Sequence, residues 1–470
     1  MKRQKLEAAL GQISDAHIAE AAHAKKRKLP WLGAVAALLA LVLIFKSVDI
    51  PMAIAAETVV KASPARITER PDLDDYTDRL FWREDLNKWD TERVRRSETA
   101  VEGLAQMEGF LRESCKEFLS GNQGNPLYSP INAYIGLAMT AELTSGQTRQ
   151  QILEALGVSD LAGLRQQISA LWETVYQDDG NEICTLANAL WLDKSLAYRQ
   201  EPMDILGHHY YASVYRQDLS GTRAVKDIQA WLNNNTGGLL KDAVQGIQLP
   251  EEAVLALYST IYFQAKWQDE FNSAKNTTDT FHGLSGDNTA TFMNKKLYQT
   301  HYYWDKDYGA VSLGLKNGSQ MWFILPDEDK TTGDVLAGGT YLDMIAAPYD
   351  GWENTKFMKV NLSVPKFDVR ASQNLRGGFE NMGITDLFRL GQADFSEAFD
   401  GPVFMTAANQ SVRVQIDEKG VKAAAYIEFP GAGAPMPPEE IIDFVLDRPF
   451  LFVIADNSGI PLFAGVVNEI

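Results

Sequence analysis

The sequence predicts an α+β fold. Apolar residues recur at three and four over the first part of the folded region, as on amphipathic helices. Later, alternating and continuous apolar runs of strand length dominate. No unit repeats with a period of about 20–50 residues, which argues against a solenoid or propeller. The 470 residues are 45% hydrophobic, the content of a globular chain rather than a disordered one. The net charge of −18 argues against nucleic acid and anionic membrane surfaces as main partners.

Residues 1–28 are polar and end in Lys25, Lys26, Arg27 and Lys28. Residues 29–45 are apolar and uncharged, at the short end of what crosses a bilayer. The basic flank predicts a cytoplasmic segment over 1–28, a signal-anchor helix over 29–46 and an exterior remainder. A cleaved signal peptide, with small residues at Ala53-Ile54-Ala55, is the competing reading and gives a secreted product. Charges, Pro64 and Pro71 predict a juxtamembrane stalk over 47–100, with a short helix around Leu80, Phe81, Trp82, Leu86 and Trp89.

The folded domain is expected over 101–470. Leu104, Met107, Leu111, Cys115 and Phe118 mark one helix. The run after Ser129-Pro130 is apolar nearly all round and predicts a buried helix. Thr148 is the expected cap of the next helix. Strands are expected over 183–192, 254–263 and 322–325, and at Val360, Leu362, Val364 and Phe367. The 254–263 run reads as a central strand buried on both faces. A helix is expected over 228–240.

No catalytic constellation emerges. The six histidines include no HExxH pair, and His208-His209 reads as a helix end. GxSxG and phosphate-loop motifs are absent. Cys115 and Cys184 stand outside any CxxC spacing, so no zinc site is expected. Two buried free thiols and one disulfide are both open readings for them. The chain is therefore expected to be no enzyme, with no metal and no cofactor.

The segment 411–450 carries the strongest signal. Val412, Val414 and Ile416 alternate with polar residues, as on a half-buried strand. Gly420 follows, and then Val421, Ala423, Ala425, Ile427 and Phe429 occupy every second position. Residues 431–438 are rich in Gly and Pro and predict an exposed loop. The run from Ile441 to Ile454 is apolar again.

IDEKG, the Val-Lys-Ala-Ala-Ala run, the loop and DRPFLFVI together resemble the hinge and reactive-centre loop of a serpin. NPLYSPINAYIGLAMTAELTSGQT, STIYFQAKW, FNSAKNTTDTFH and IPLFAGVVNEI are similar to further serpin segments, in the family's order over about 104–470. The resemblance implies helices packed around three β-sheets and an exposed reactive-centre loop. It implies suicide-substrate inhibition: a serine (or cysteine) endopeptidase cleaves the loop, is held as an acyl-enzyme, and the released arm inserts into the main sheet. It implies a monomer whose partner is the target protease. Glu418, Gly420, Val421, Ala423, Ala424 and Ala425 then form the hinge. The inward set, Val421, Ala423, Ala425, Ile427, Phe429 and Gly431, carries no charge, as entry into a sheet interior requires.

The family's cut lies about fifteen residues past the hinge glycine, set by the length of strand that inserts. That count puts Ala434 on the acyl side. Pro435 follows it, and Met436 is likewise followed by Pro437, so bonds at Gly433 and Ala432 remain alternatives. All but Met436 and Pro435 offer small side chains, which points to an elastase-like or subtilisin-like target. By the same resemblance Ser129, Asn132, Ser259, Trp267 and Gln410 form the sheet-opening region. Ser259 and Gln410 stand where the family often has Asn and His. A non-inhibitory binding protein of the same fold is the alternative function.

Overall fold

The computed structural model describes residues 54–62, 79–120, 124–178, 183–236, 238, 243–251, 253–316, 318–421 and 440–470. The expected membrane span, the hinge from Lys422 on and the loop bonds at 432–436 lie outside these residues. Among the described residues no helix is long and apolar enough to cross a membrane.

The described residues open with strand β1 (Glu57–Val60) and helix α1 (Arg79–Leu119). Both correct the expected organisation. β1 lies within the supposed stalk but pairs with a strand of the main sheet, and the supposed boundary at Val101 falls inside α1. Two β-branched valines on a strand edge explain the first, and the buried stripe Met107, Phe110, Leu111, Cys115 and Leu119 anchors the second.

Then come β2 (Leu127–Tyr128), α2 (Pro130–Leu143), α3 (Gly146–Leu156), α4 (Leu161–Val175), β3 (Gln177–Asp178), β4 (Ile183–Asp193), α5 (Gln200–His209), β5 (Ala212–Gln217), α6 (Thr222–Asn235) and β6 (Leu255–Lys266). Ser129 and Pro130 open α2, where Pro costs no helical hydrogen bond. Every residue of α2 except Gly136 is buried. Thr148 does not cap α3; Ser145 holds that position, and the Thr148 hydroxyl accepts from Asp394 N–H instead. α6 stops at Asn235, short of the expected 240.

The remainder is strand-rich: β7 (Thr277–Gly283), β8 (Gly286–Trp304), β9 (Tyr308–Gly314), β10 (Gln320–Pro326), α7 (Thr332–Gly338), α8 (Thr340–Ala346), β11 (Thr355–Pro365), β12 (Asp368–Asn374), α9 (Arg376–Asn381), β13 (Asn409–Gln415), β14 (Gly420–Val421), β15 (Ile441–Val445), β16 (Phe450–Ala455) and β17 (Pro461–Val467).

Three sheets form among the described residues. The main sheet runs β1-β5-β4-β6-β14, with β3 on β4. A second runs β15-β11-β8-β9-β10-β16-β17-β2, with β7 on β8, and β12 and β13 pair alone. The chief core lies where α2 packs against β6 on one side and β17 on the other. A second core, around Trp191, Ile228 and Trp231, joins α6 to the other face of the main sheet. Within it the Trp191 and Tyr215 rings stack with centroids 4.5 Å apart.

β6 departs from expectation. Leu255 to Ser259 are only half-buried, because among the described residues no strand pairs with β6 along that edge. Cys115 and Cys184 are both free and buried. Burial pushes the Cys115 thiol up to about 12, against a weaker opposing hydrogen bond with Tyr341.

Candidate functional site

The hinge base is built from a turn, the ends of β13 and β6, and the segments that follow β6 and β11. β13 ends beside Phe367, whose carbonyl accepts from Ile416 N–H. Asp417 and Gly420 then exchange backbone hydrogen bonds, at 3.1 and 3.3 Å, and reverse the chain. The Asp417 carboxylate tightens the turn by accepting from Lys419 N–H at 2.8 Å. Trp267 follows β6, and its backbone N–H donates to Lys419 O at 3.1 Å. Its indole Nε1–H donates to Asp417 O, and Phe271 N–H donates to Glu418 O, both at 2.8 Å.

Glu418 is the electrostatic centre of this base. Its Oε1 accepts from Asn276 Nδ2 at 2.6 Å and from Lys366 Nζ at 2.5 Å. Burial works to raise its carboxyl pKa, but the Lys366 and Asn276 bonds outweigh it and hold the group below the ordinary value.

Gly420 sits where side chains do not fit. Its φ is +145°, and a Cβ there would lie 2.5 Å from Ala265 O and 2.6 Å from Lys266 Cα. This closeness seats β14 on β6, antiparallel, with Gly420 opposite Lys266 and Val421 opposite Ala265. The hinge thus starts a new strand on the free edge of β6.

Below β14 that edge faces β13 across a cleft. Among the described residues the two strands share no ladder, for β13 pairs with β12 only. A cavity of about 80 Å³ lies there, lined among others by Asn132, Gly136, Leu257, Ser259, Phe379 and Gln410. Gln410 accepts from Ser129 N–H and donates to Ser129 O, both at 2.9 Å. The Ser129 hydroxyl donates to Leu462 O at 2.8 Å, and Ser259 Oγ to Asn132 Oδ1 at 3.4 Å. Four residues expected at the sheet opening therefore stand under the cleft, each in at least one hydrogen bond.

Trp267 does not join them. It lies eight positions along the chain from Ser259, about 26 Å for an extended strand, and its contacts are with the hinge. Glu418, Gly420 and Val421 are at the hinge base, whereas Ala423, Ala424 and Ala425, like Ala432, Gly433, Ala434, Pro435 and Met436, lie outside the described residues. Sequence reasoning missed Lys366 and Asn276, the partners of Glu418. It also missed Asn188, buried opposite Ser259 in the β4–β6 register. Their spacing from the hinge, 52 residues for Lys366 and 142 for Asn276, leaves no local signal.

The model of the family described as serpin (serine protease inhibitor) matches residues 107–470. Plasminogen activator inhibitor 1 of Neovison vison is 28% identical over 73% of this chain and 87% of its own length. Corticosteroid-binding globulin of Oryctolagus cuniculus is also 28% identical, over 73% of this chain and 89% of its own. The native-state crystal structure of tengpin, a thermophilic serpin, superposes with a TM-score of 0.70 at 25% identity, over 78% of this chain and 93% of that one. The helices around mixed sheets, the hinge and the matched segment lead to one conclusion: this chain belongs to the serpin family.

Proposed function

We propose that the protein inhibits serine endopeptidases as a suicide substrate, with loop insertion into the main sheet between β6 and β13. The observation that carries this reading is β14, the hinge residues Gly420 and Val421 laid on β6 at the head of a cleft unpaired among the described residues. Continued antiparallel register puts Ala423 opposite Phe263 and Ala425 opposite Ile261, so no charge faces inward. The small residues Ala432, Gly433 and Ala434 favour a target with a shallow pocket, elastase-like or subtilisin-like, and the arrangement calls for no catalytic group of its own. The apolar run at 29–45 supports anchoring of the whole to a membrane with the inhibitory domain outside.

The test is thermal melting of the intact chain and of the chain nicked within 429–437 by an elastase-like protease. Insertion predicts a large rise in melting temperature after nicking and a protease complex that survives denaturing gels. Equal melting of nicked and intact protein overturns it. That outcome would favour the second reading, a non-inhibitory binding protein, which Pro430, lacking a ladder N–H within the arm that would insert, and the prolines around the candidate bonds support.

A further inference from the structure

The segment 54–62 lies outside the family-matched residues 107–470, yet it is built into the main sheet. β1 pairs antiparallel with β5, Glu57 opposite Arg216, Thr58 opposite Tyr215 and Val60 opposite Val214, with a bulge before Val60. Ala62 N–H donates to Ser213 Oγ at 3.2 Å. At its other end Ala55 N–H donates to Asp227 Oδ2 on α6, also at 3.2 Å. Asp227 is buried, and its other oxygen is held by Arg223 at 3.0 Å.

Side chains complete the tie. Ile54 and Ala56 pack into the core between α6 and the sheet, beside Trp191 and Trp231. Val59 and Val60 pack toward the main core. Val60 rests on α5 at Gly207, so closely that a Cβ on Gly207 would lie 2.4 Å from Val60 Cγ1. One nine-residue segment therefore joins α5, α6 and β5.

We propose that residues 54–62 are a strap that restrains the main sheet in its uninserted form. The proposal rests on the insertion reading above. A strand entering beside β6 widens the cleft between β6 and β13, and because α6 packs on β4 and β6 a movement of β6 is carried to α6. Shifting α6 against β5 breaks the Ala55–Asp227 bond and uncovers Ile54 and Ala56. Contacts present in the resting state and broken at the barrier slow the transition without being needed by either end state.

The test uses the full chain with Gly207→Ala, which crowds Val60 out of its seat while favouring helix at α5, and the double variant Gly207→Ala/Val60→Ala, which removes the clash. A third protein, Glu57→Cys/Arg216→Cys, allows the strap to be locked by oxidation across a paired position. Two quantities are read: amide exchange over 212–217 and the rate at which nicked protein gains thermal stability. Gly207→Ala is expected to raise exchange and to speed the gain roughly three- to tenfold. The double variant restores both, and the oxidised lock slows the gain relative to its reduced form. Faster exchange with an unchanged rate of gain overturns the restraint. Unchanged exchange in Gly207→Ala overturns the seat itself. A wild type that gains no stability on nicking, with exchange behaving as expected, refutes insertion rather than the strap's attachment, and with it the restraining role.

Discussion

Trp267 donates its indole Nε1–H to the Asp417 carbonyl oxygen at 2.8 Å, joining the end of β6 to the turn that launches the hinge. The ring is almost wholly buried and meets Phe271 edge to face, centroids 5.8 Å apart. Trp267→Phe keeps an aromatic group but removes the donor and part of the volume. The expected loss is about 2 kcal/mol, from the missing bond and the gap together. Urea unfolding checks it, and amide exchange at 417–420 should rise in step.

Gly420→Ala is expected to expel β14 from β6. The added methyl meets backbone on three sides, which cannot give way as a flexible side chain would. The backbone conformation alone costs a non-glycine residue about 1–3 kcal/mol. Titration of a susceptible protease should show more inhibitor consumed per enzyme inactivated, because a displaced hinge enters the sheet late.

Val421→Arg brings a charge to a position opposite Ala265, which is fully buried. Burying an unpaired guanidinium costs several kcal/mol, so insertion falls behind deacylation. The variant should be cleaved as a substrate with little stable complex. Measured partition between complex and cleaved product decides the matter; the wild-type ratio would contradict it.

Gln410→Ala leaves the Ser129 N–H without its partner at the start of α2, while the Ser129 carbonyl keeps the Ala133 N–H at 3.3 Å. Both residues are buried, so the expected destabilisation is about 1–3 kcal/mol. Gln410→Glu should recover only the bond to the Ser129 N–H. Melting of the three proteins side by side tests this order.

Asp456 gives the stability a pH dependence. It is buried in the turn joining β16 to β17, and burial pushes its carboxyl up to about 7, although Ile460 and Ser458 N–H groups both bond Oδ1. A raised folded-state value means the contribution is full below about 4, the unfolded carboxyl value, and is lost as pH rises through about 7. Asp456→Asn should match wild type near pH 4 and exceed it by about 3–4 kcal/mol at pH 8. Urea midpoints at the two pH values supply the comparison.

Much of this architecture is legible in local pattern. Val412, Val414 and Ile416 alternate because one face of β13 is buried, and Ser129-Pro130 announces α2 because a proline fits only its first turn. Gly420 stands out as the break between two strand-like runs. What is not legible is long-range. Glu57-Thr58-Val59-Val60 is four residues in a charged stretch, and its place in the sheet depends on an edge about 155 residues away. Gln410 meets Ser129 across 281 residues, and no spacing rule connects them. The half-exposure of β6 is likewise unreadable, since the run is as apolar as a central strand and only the lack of a neighbouring strand among the described residues opens it.

β17 lies inside the second sheet, between β16 and β2, and every residue of it is buried. A strand made long after α2 is thus an interior one, and Ser129 at the head of α2 waits for Leu462, whose carbonyl accepts from its hydroxyl. Translation at about 5–20 residues per second holds the nascent chain incomplete for some tens of seconds after α2 emerges. Through that interval β2 and β16 lack their common neighbour and the apolar α2 lacks one wall. Assembly of this core therefore waits for β17, and a chain ending before Pro461 would expose its core to chaperones and proteases rather than fold as a shortened version of itself.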